Sequence, residues 1–305
     1  MALTSYTAAL EAEQVTMLRT LLERENFEFV DKPYTHYAAK KDKLNIAVYE
    51  KGPKVLVQGK ETEHFVQFYL EPEILGEARL GYEEVHNPEM FEPHFGIDES
   101  GKGDYFGPLV VAGVYTDAEI TRHLIDAGIQ DSKRITSDNR IRTLAKVVRE
   151  TPGIVFETVT VLPENYNRMH KRFGNVNKLL AAGHAKVIEL LANRVPNCPR
   201  SLSDQFAREW QLESAVKRLR INIKIEQRTR AESDTAVAAA SILAREQFVD
   251  WIDAQSKKLG VSLPKGASSQ VVETGRELVS AKGAEVLQNL AKMHFKTTEE
   301  VLQDQ

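Results

Sequence analysis

Leucines at 10, 18, 21 and 22 share one side of a helical wheel and predict an amphipathic helix over residues 5–26. The stretch KLNIAVYEKGPKVLVQGK has a period of two instead. Leu44, Ile46 and Val48 alternate with other residues, Gly52-Pro53 makes a turn, and Val55 and Val57 lie on a return strand. A second helix is expected around 62–70, ending near Pro72. Together these form a small α+β module. Pro72, Pro88 and Pro93, with recurrent glutamates, mark residues 71–94 as a linker. Beyond it, strand-like runs near 94–99, 107–116, 154–162, 200–206 and 221–227 mix with helix-like runs near 137–150, 175–194, 208–219, 234–258 and 273–292. Strands in succession, then interleaved with helices, predict a mixed sheet with helices on its faces. The expected class is α/β (α+β overall), in segments 1–75, 76–93 and 94–305.

Composition changes this picture little. With 305 residues the chain exceeds what a single core comfortably fills. A lone cysteine, Cys198, excludes an internal disulfide framework and a Cys-rich zinc site, and a reducing cytoplasm is the expected setting. The N-terminal MALTSYTAALEAEQ lacks the basic flank and apolar core of a signal peptide, and no apolar run is long enough for a bilayer span. The net charge of −4 neither points to nucleic acid nor excludes it, because a local patch can act alone. Lys40, Lys41, Lys43, Lys51, Lys54 and Lys60 crowd the hairpin. On charge alone they read first as a solvated strand face, and second as a phosphate-contacting surface.

The candidate chemistry sits in FGIDESGKGDYFGPLVV, residues 95–111. From Gly96 it approaches a phosphate-cradling P-loop, but the match fails. Gly103 stands where a hydroxyl should hold Mg²⁺. Asp98 and Glu99 would repel phosphate inside the loop, and the Val-rich run that follows is a strand rather than a helix. Adjacent acids at a strand end, then a tight Gly-Lys-Gly turn, suit another task. Carboxylates bind hard metals, while exposed amides and a cation bind phosphate or hydroxyl oxygens. Successive strand side chains point to opposite faces, so the two acids are expected to share a site only if the chain bends, as Gly101 and Gly103 permit.

GIDESGKGDYFGPLVVAGVY closely resembles the first catalytic motif of the bacterial ribonuclease HIII family, in the type 2 ribonuclease H group. DSK at Asp131–Lys133, SDQFA at Ser203–Ala207 and RAESDTAVAAASILAR at Arg230–Arg245 agree with it. The resemblance implies a ribonuclease H-like mixed sheet preceded by a TATA-binding-protein-like substrate-binding domain. It implies catalytic acids at Asp98, Glu99 and Asp204, with Glu232 or Asp234 as the fourth. The ribonuclease HIII pattern favours Glu232, and that of ribonuclease HII keeps Asp234 open. Asp98, Glu99 and Asp204 would bind two divalent ions, Mg²⁺ or Mn²⁺. Gly101, Lys102 and Gly103 would read the RNA, with Lys133 as a further phosphate contact. The implied activity is metal-dependent, sequence-independent hydrolysis of the RNA strand of RNA/DNA hybrids, leaving 5′-phosphate and 3′-hydroxyl ends. No membrane or protein partner is implied, and a monomer is the default.

Four clustered acids repel one another without metal, so a protonated member or a disordered site is expected. Of Tyr105 and Phe106, one is expected in the core and the other at a sugar; Trp210 and Trp251 read as packing residues. NRMHKRFGNVNK, residues 167–178, reads as a basic loop, and His294 as a structural histidine that has the site within reach. The rival readings are a ribonuclease HII-like enzyme cutting at single ribonucleotides in DNA, and a non-catalytic hybrid-binding module.

Overall fold

The computed structural model describes residues 3–76, 87–129, 135, 137–206, 209–229 and 231–303. Contacts divide the chain into two compact units, Met1–Glu89 and Met90–Gln305.

The first unit is a five-stranded antiparallel sheet, β1 (Ser5–Ala9), β2 (Glu28–Val30), β3 (Thr35–Lys41), β4 (Leu44–Tyr49) and β5 (Lys54–Gly59), in the order β1-β5-β4-β3-β2. Helix α1 (Ala12–Arg24) and a short helix α2 (Thr62–Phe65), continued by a wider π-wound segment (Val66–Leu75), build one core with it. The expected hairpin is β4 and β5. Residues 5–9 are a strand rather than the start of a helix. They pair with β5, and Leu10 N–H donates to the Pro53 carbonyl at 2.8 Å, so helix begins only afterwards. Pro72 does not end the second helix. The π-wound segment carries it as far as Gly76, keeping Val66, Leu70 and Ile74 buried. Of the expected linker, residues 77–86 lie outside the described residues, and Pro88–Phe91 form a 3-10 turn with Met90 and Phe91 buried. On the sheet face opposite the helices, Ser5, Gln58, Asn45, Lys40 and Glu28 form one continuous cross-strand row. All five are exposed.

The second unit is built on β6 (His94–Ser100), β7 (Leu109–Thr116), β8 (Val155–Val161), β9 (Arg200–Asp204) and β10 (Lys224–Arg228), in the order β10-β9-β6-β7-β8. β6, β7 and β8 form an antiparallel meander; β9 and β10 add on parallel to β6. This is the expected mixed sheet. Helices α3 (Ala118–Asp126), α4 (Asp138–Glu150), α5 (Pro163–Phe173), α6 (Val176–Arg194), α7 (Glu209–Arg218), α8 (Thr235–Leu259), α9 (Ser269–Lys282), α10 (Val286–Leu290) and α11 (Lys296–Leu302) surround it. Asp117, Ser137, Asn175 and Asp234 cap α3, α4, α6 and α8 through their side chains.

α8 lies tightly on the sheet. A Cβ on Gly96 would fall 2.2 Å from the Ala236 carbonyl carbon, so only glycine lets strand and helix approach so closely. The Ala238–Ala240 run is buried on the same helix. Several expectations differ from the fold. α3, α5 and α11 fall outside the predicted helices, and the basic 167–178 segment is mostly α5 and the start of α6, not a loop. The single helix expected over 273–292 is two, because Gly283 ends α9. Tyr105 and Phe106 are both fully buried in the core, so neither reaches a sugar. Trp251 packs against the core, but Trp210 is 55% exposed and is no packing residue.

Candidate active site

Two neighbouring parallel strands end side by side. β6 delivers Asp98 and Glu99 to its C-terminal end, and β9 delivers Asp204. The three acids line one open cavity of about 410 Å³ with Ser100, Gly101, Lys102, Gly103, Ser241 and Arg245.

No bend separates Asp98 from Glu99. β6 stays paired with β7 through both, Asp98 opposite Ala112 and Glu99 opposite Val111. Their side chains leave opposite faces of the sheet. Glu99 points towards α6, where His184 Nε2 lies 3.0 Å from its Oε2. Asp98 shares the face of Gly96, against which α8 packs. α8 brings Ser241 and Arg245 to that side, one helical turn apart. The cavity opens past the end of the strand, so both acids reach it without distorting the sheet.

Two basic side chains, His184 and Lys102, stand against Glu99. Burial pushes the Glu99 carboxyl up, but the hydrogen bond and charge of His184, together with Lys102, outweigh burial and hold it below its ordinary value. Lys102 Nζ stands 3.6 Å from Glu99 Oε1 and 6.0 Å from the Phe206 ring centroid. Arg245 joins Lys102 as the second basic side chain on the cavity wall.

The turn depends on Gly101, which has φ +88°. A Cβ there would meet the Pro108 carbonyl oxygen at 2.2 Å and the Phe248 ring at 2.9 Å. Asp104 N–H closes the turn onto the Gly101 carbonyl at 3.4 Å. Gly103 has open space around its missing Cβ.

The two candidates for the fourth acid have different surroundings. Asp234 is committed elsewhere. Its Oδ1 accepts from Ala236 N–H at 2.9 Å and Val237 N–H at 3.3 Å, capping α8, and lies 3.0 Å from His94 Nε2. Glu232 sits in the 3-10 turn Ala231–Ser233, tied to the site because Ala231 N–H donates to Asp204 Oδ1 at 3.3 Å. Neither residue lines the cavity wall in this structure. Lys133 lies outside the described residues. His294 is not part of the cavity lining; it stacks on His170 with ring centroids 4.2 Å apart.

Asp98, Glu99 and Asp204 offer only oxygen, the donor set of hard divalent ions. Among the described residues no group of three or more His, Cys, Asp or Glu side chains is gathered closely enough to grip an ion unaided.

Sequence reasoning missed His184, Ser241 and Arg245. His184 is a single imidazole in an otherwise apolar stretch of α6, a pattern that more often means packing. Ser241 and Arg245 carried one usable signal, their i, i+4 spacing on a helix whose small residues face the sheet.

A family model described as Ribonuclease HII matches residues 95–298, and a domain of unknown function, DUF3378, matches residues 9–78. A ribonuclease HIII of Protochlamydia amoebophila is 42% identical over 281 residues, 92% of this chain and 91% of its own length. That of Chlamydia abortus is 40% identical, covering 93% of both chains. Among solved structures, the Bst ribonuclease HIII crystallised with Mn²⁺ superposes with a TM-score of 0.68 and 27% identity, covering 98% of each chain. The ribonuclease H3 of Aquifex aeolicus shares the fold at a TM-score of 0.56. With its motif, its mixed sheet and relatives similar from end to end, the chain belongs to the ribonuclease HIII family and is a ribonuclease H enzyme.

Proposed function

We propose that this enzyme hydrolyses the RNA strand of RNA/DNA hybrids, independently of base sequence, with two divalent ions, Mg²⁺ or Mn²⁺, and leaves 5′-phosphate and 3′-hydroxyl ends. One observation carries the reading: three carboxylates from two strand ends share a cavity with a glycine turn and two cationic side chains. Asp98, Glu99 and Asp204 would hold the ions. When bound, such ions activate water and stabilise the leaving oxygen, and no dedicated protein base is then required.

The chain's own residues do the rest. His184 keeps Glu99 ionised and fixes its Oε2, leaving Oε1 towards the cavity. Lys102 occupies that Oε1 in the absence of substrate, and it is long enough to turn to a phosphate. Arg245 offers a planar donor fork to a phosphate oxygen. The backbone of Gly101–Gly103 can approach a ribose 2′-hydroxyl, the group that distinguishes RNA from DNA. Such contacts ignore base identity. Glu232 serves as the fourth acid, since Asp234 is engaged by α8 and His94. Lys133 is assigned a phosphate contact by its family motif.

Residues 1–75 act as a substrate-binding domain, 76–93 as a linker and 94–305 as the catalytic domain. The exposed row Ser5, Gln58, Asn45, Lys40 and Glu28 supports the first assignment, as a polar strip for sugar–phosphate contacts. We assign the enzyme to the cytoplasm as a monomer. No helix among the described residues is long and apolar enough to cross a membrane.

The test is cleavage of matched substrates. A continuous RNA/DNA hybrid should be cut with Mg²⁺ or Mn²⁺, and a duplex with one ribonucleotide should be cut poorly. Preference for the single ribonucleotide would establish ribonuclease HII-like activity. Hybrid binding without cleavage in any divalent ion would establish a binding module.

A further inference from the structure

Lys292 is the most deeply buried cation among the described residues, with no exposed surface at all. It stands outside the cavity. Its Nζ donates to the Asp104 carbonyl at 2.9 Å and to the Gly107 carbonyl at 2.7 Å, and lies 5.6 Å from the Tyr166 ring centroid. The surrounding backbone is tied into the same knot. Lys292 N–H donates to the Tyr105 carbonyl at 2.9 Å, Gly107 N–H donates to the Leu290 carbonyl at 2.8 Å, and Phe106 bridges Ala291.

These contacts grip both ends of the segment that follows the glycine turn. Asp104 links the two: its N–H closes the turn onto Gly101, and its carbonyl is held by Lys292. Burying an ammonium is costly, and a hydrophobic side chain would fill the space without that cost. What a hydrophobic residue lacks is a donor for two inward-facing carbonyls.

We propose that Lys292 is a positioning residue for substrate recognition, its buried amine fixing the Asp104–Gly107 backbone and through it the Gly101–Gly103 amides. The proposal rests on the reading of that turn as the hybrid contact.

Burial lowers the Lys292 amine to about 7, partly opposed by Asp104. The other titratable groups facing it are Tyr105, Tyr166, and the His170–His294 stack beside Tyr166. Burial, His170 and Lys292 push His294 down to about 4, so it is neutral near pH 7. As pH rises through 7 the amine loses its charge, its bonds to the two carbonyls weaken, and the turn loosens.

Three measurements on wild type, Lys292→Met and Lys292→Arg test this. They are amide hydrogen exchange over residues 101–107 without substrate, thermal unfolding, and KM and kcat on a continuous hybrid at pH 6 and 8.5. Losing one charge-assisted contact predicts exchange about tenfold faster at 101–107 in Lys292→Met, and KM up about tenfold with kcat nearly unchanged. Wild-type KM should rise from pH 6 to 8.5, while Lys292→Arg, charged at both, stays flat. Wild-type exchange at 101–107 in folded Lys292→Met, or a lowered melting temperature with wild-type KM, overturns the proposal. If Lys292→Met does not fold, Lys292→Arg decides: a flat KM supports positioning, and a wild-type pH dependence refutes it. If the wild type does not cut hybrid, the functional reading fails, and the exchange measurement still judges the anchor.

Discussion

The two glycines of the turn make opposite predictions. Gly101→Ala places a methyl 2.2 Å from the Pro108 carbonyl oxygen and 2.9 Å from the Phe248 ring, in a backbone held at φ +88°. The left-handed conformation costs a non-glycine residue about 1–2 kcal/mol. Forcing a methyl into packed surroundings adds about 1–3 kcal/mol. Gly101→Ala should therefore lose about 2–5 kcal/mol. At about 2–4 °C per kcal/mol for a unit of this size, melting falls by roughly 4–20 °C. Gly103→Ala meets nothing within 4 Å, and Gly103 is not in the left-handed region. Its stability should stay within about 1 kcal/mol of wild type, with any change tending towards stabilisation through the unfolded chain. Yet its methyl would stand in the cavity lining, where the proposed function brings a ribose to the backbone. KM for hybrid should rise about tenfold, the equivalent of one lost close contact. Calorimetry and steady-state cleavage on the same preparations separate the effects. Equal melting losses in both variants would refute the packing argument. A stable Gly103→Ala with wild-type KM would refute close approach of substrate to this turn.

Asp98→Asn, Glu99→Gln and Asp204→Asn should each cut cleavage by at least ~10²–10³-fold, while anisotropy shows hybrid binding retained. Glu232→Gln should abolish cleavage with melting unchanged, whereas Asp234→Ala should lose about 0.5–2 kcal/mol of stability from the lost cap alone and melt lower; the reverse pattern would reassign the fourth acid. Glu99 has a folded pKa below its ordinary value of 4.5, so its ionisation stabilises the fold above that pH and this contribution is lost on acidification through the lowered value. In His184→Leu burial acts unopposed by the imidazole, so the variant should be less stable near neutral pH and should lose less stability on acidification than wild type; an unchanged acid limb in a melting series would count against the His184–Glu99 pair. Deleting residues 1–85 should weaken hybrid binding and leave residual cleavage; equal affinity would remove the substrate-binding role of the first unit.

What could be read directly was local. The alternation of β4 and β5, the Val-rich run of β7, and the Asp-Glu-Ser-Gly-Lys-Gly run are patterns of near neighbours, governed by backbone geometry and side-chain period. The β1 strand was not legible, because five residues of weak alternation become a strand only when β5 offers a partner. Pro72 likewise misled, since burial of Val66, Leu70 and Ile74 outweighs a local break.

The site divides in the same way. Sequence by itself determined that Asp98 and Glu99 sit at a strand end before a glycine turn, because that motif is contiguous. Only the tertiary structure decided that β9 runs parallel beside β6 and brings Asp204 to the same cavity, more than a hundred residues away. It also decided that His184 and Lys102 offset the charge of Glu99, and that Asp234 is spent on capping α8 and bonding His94. These are choices between chemically equivalent groups. Distance and burial separate them, and neither is a property of a residue type.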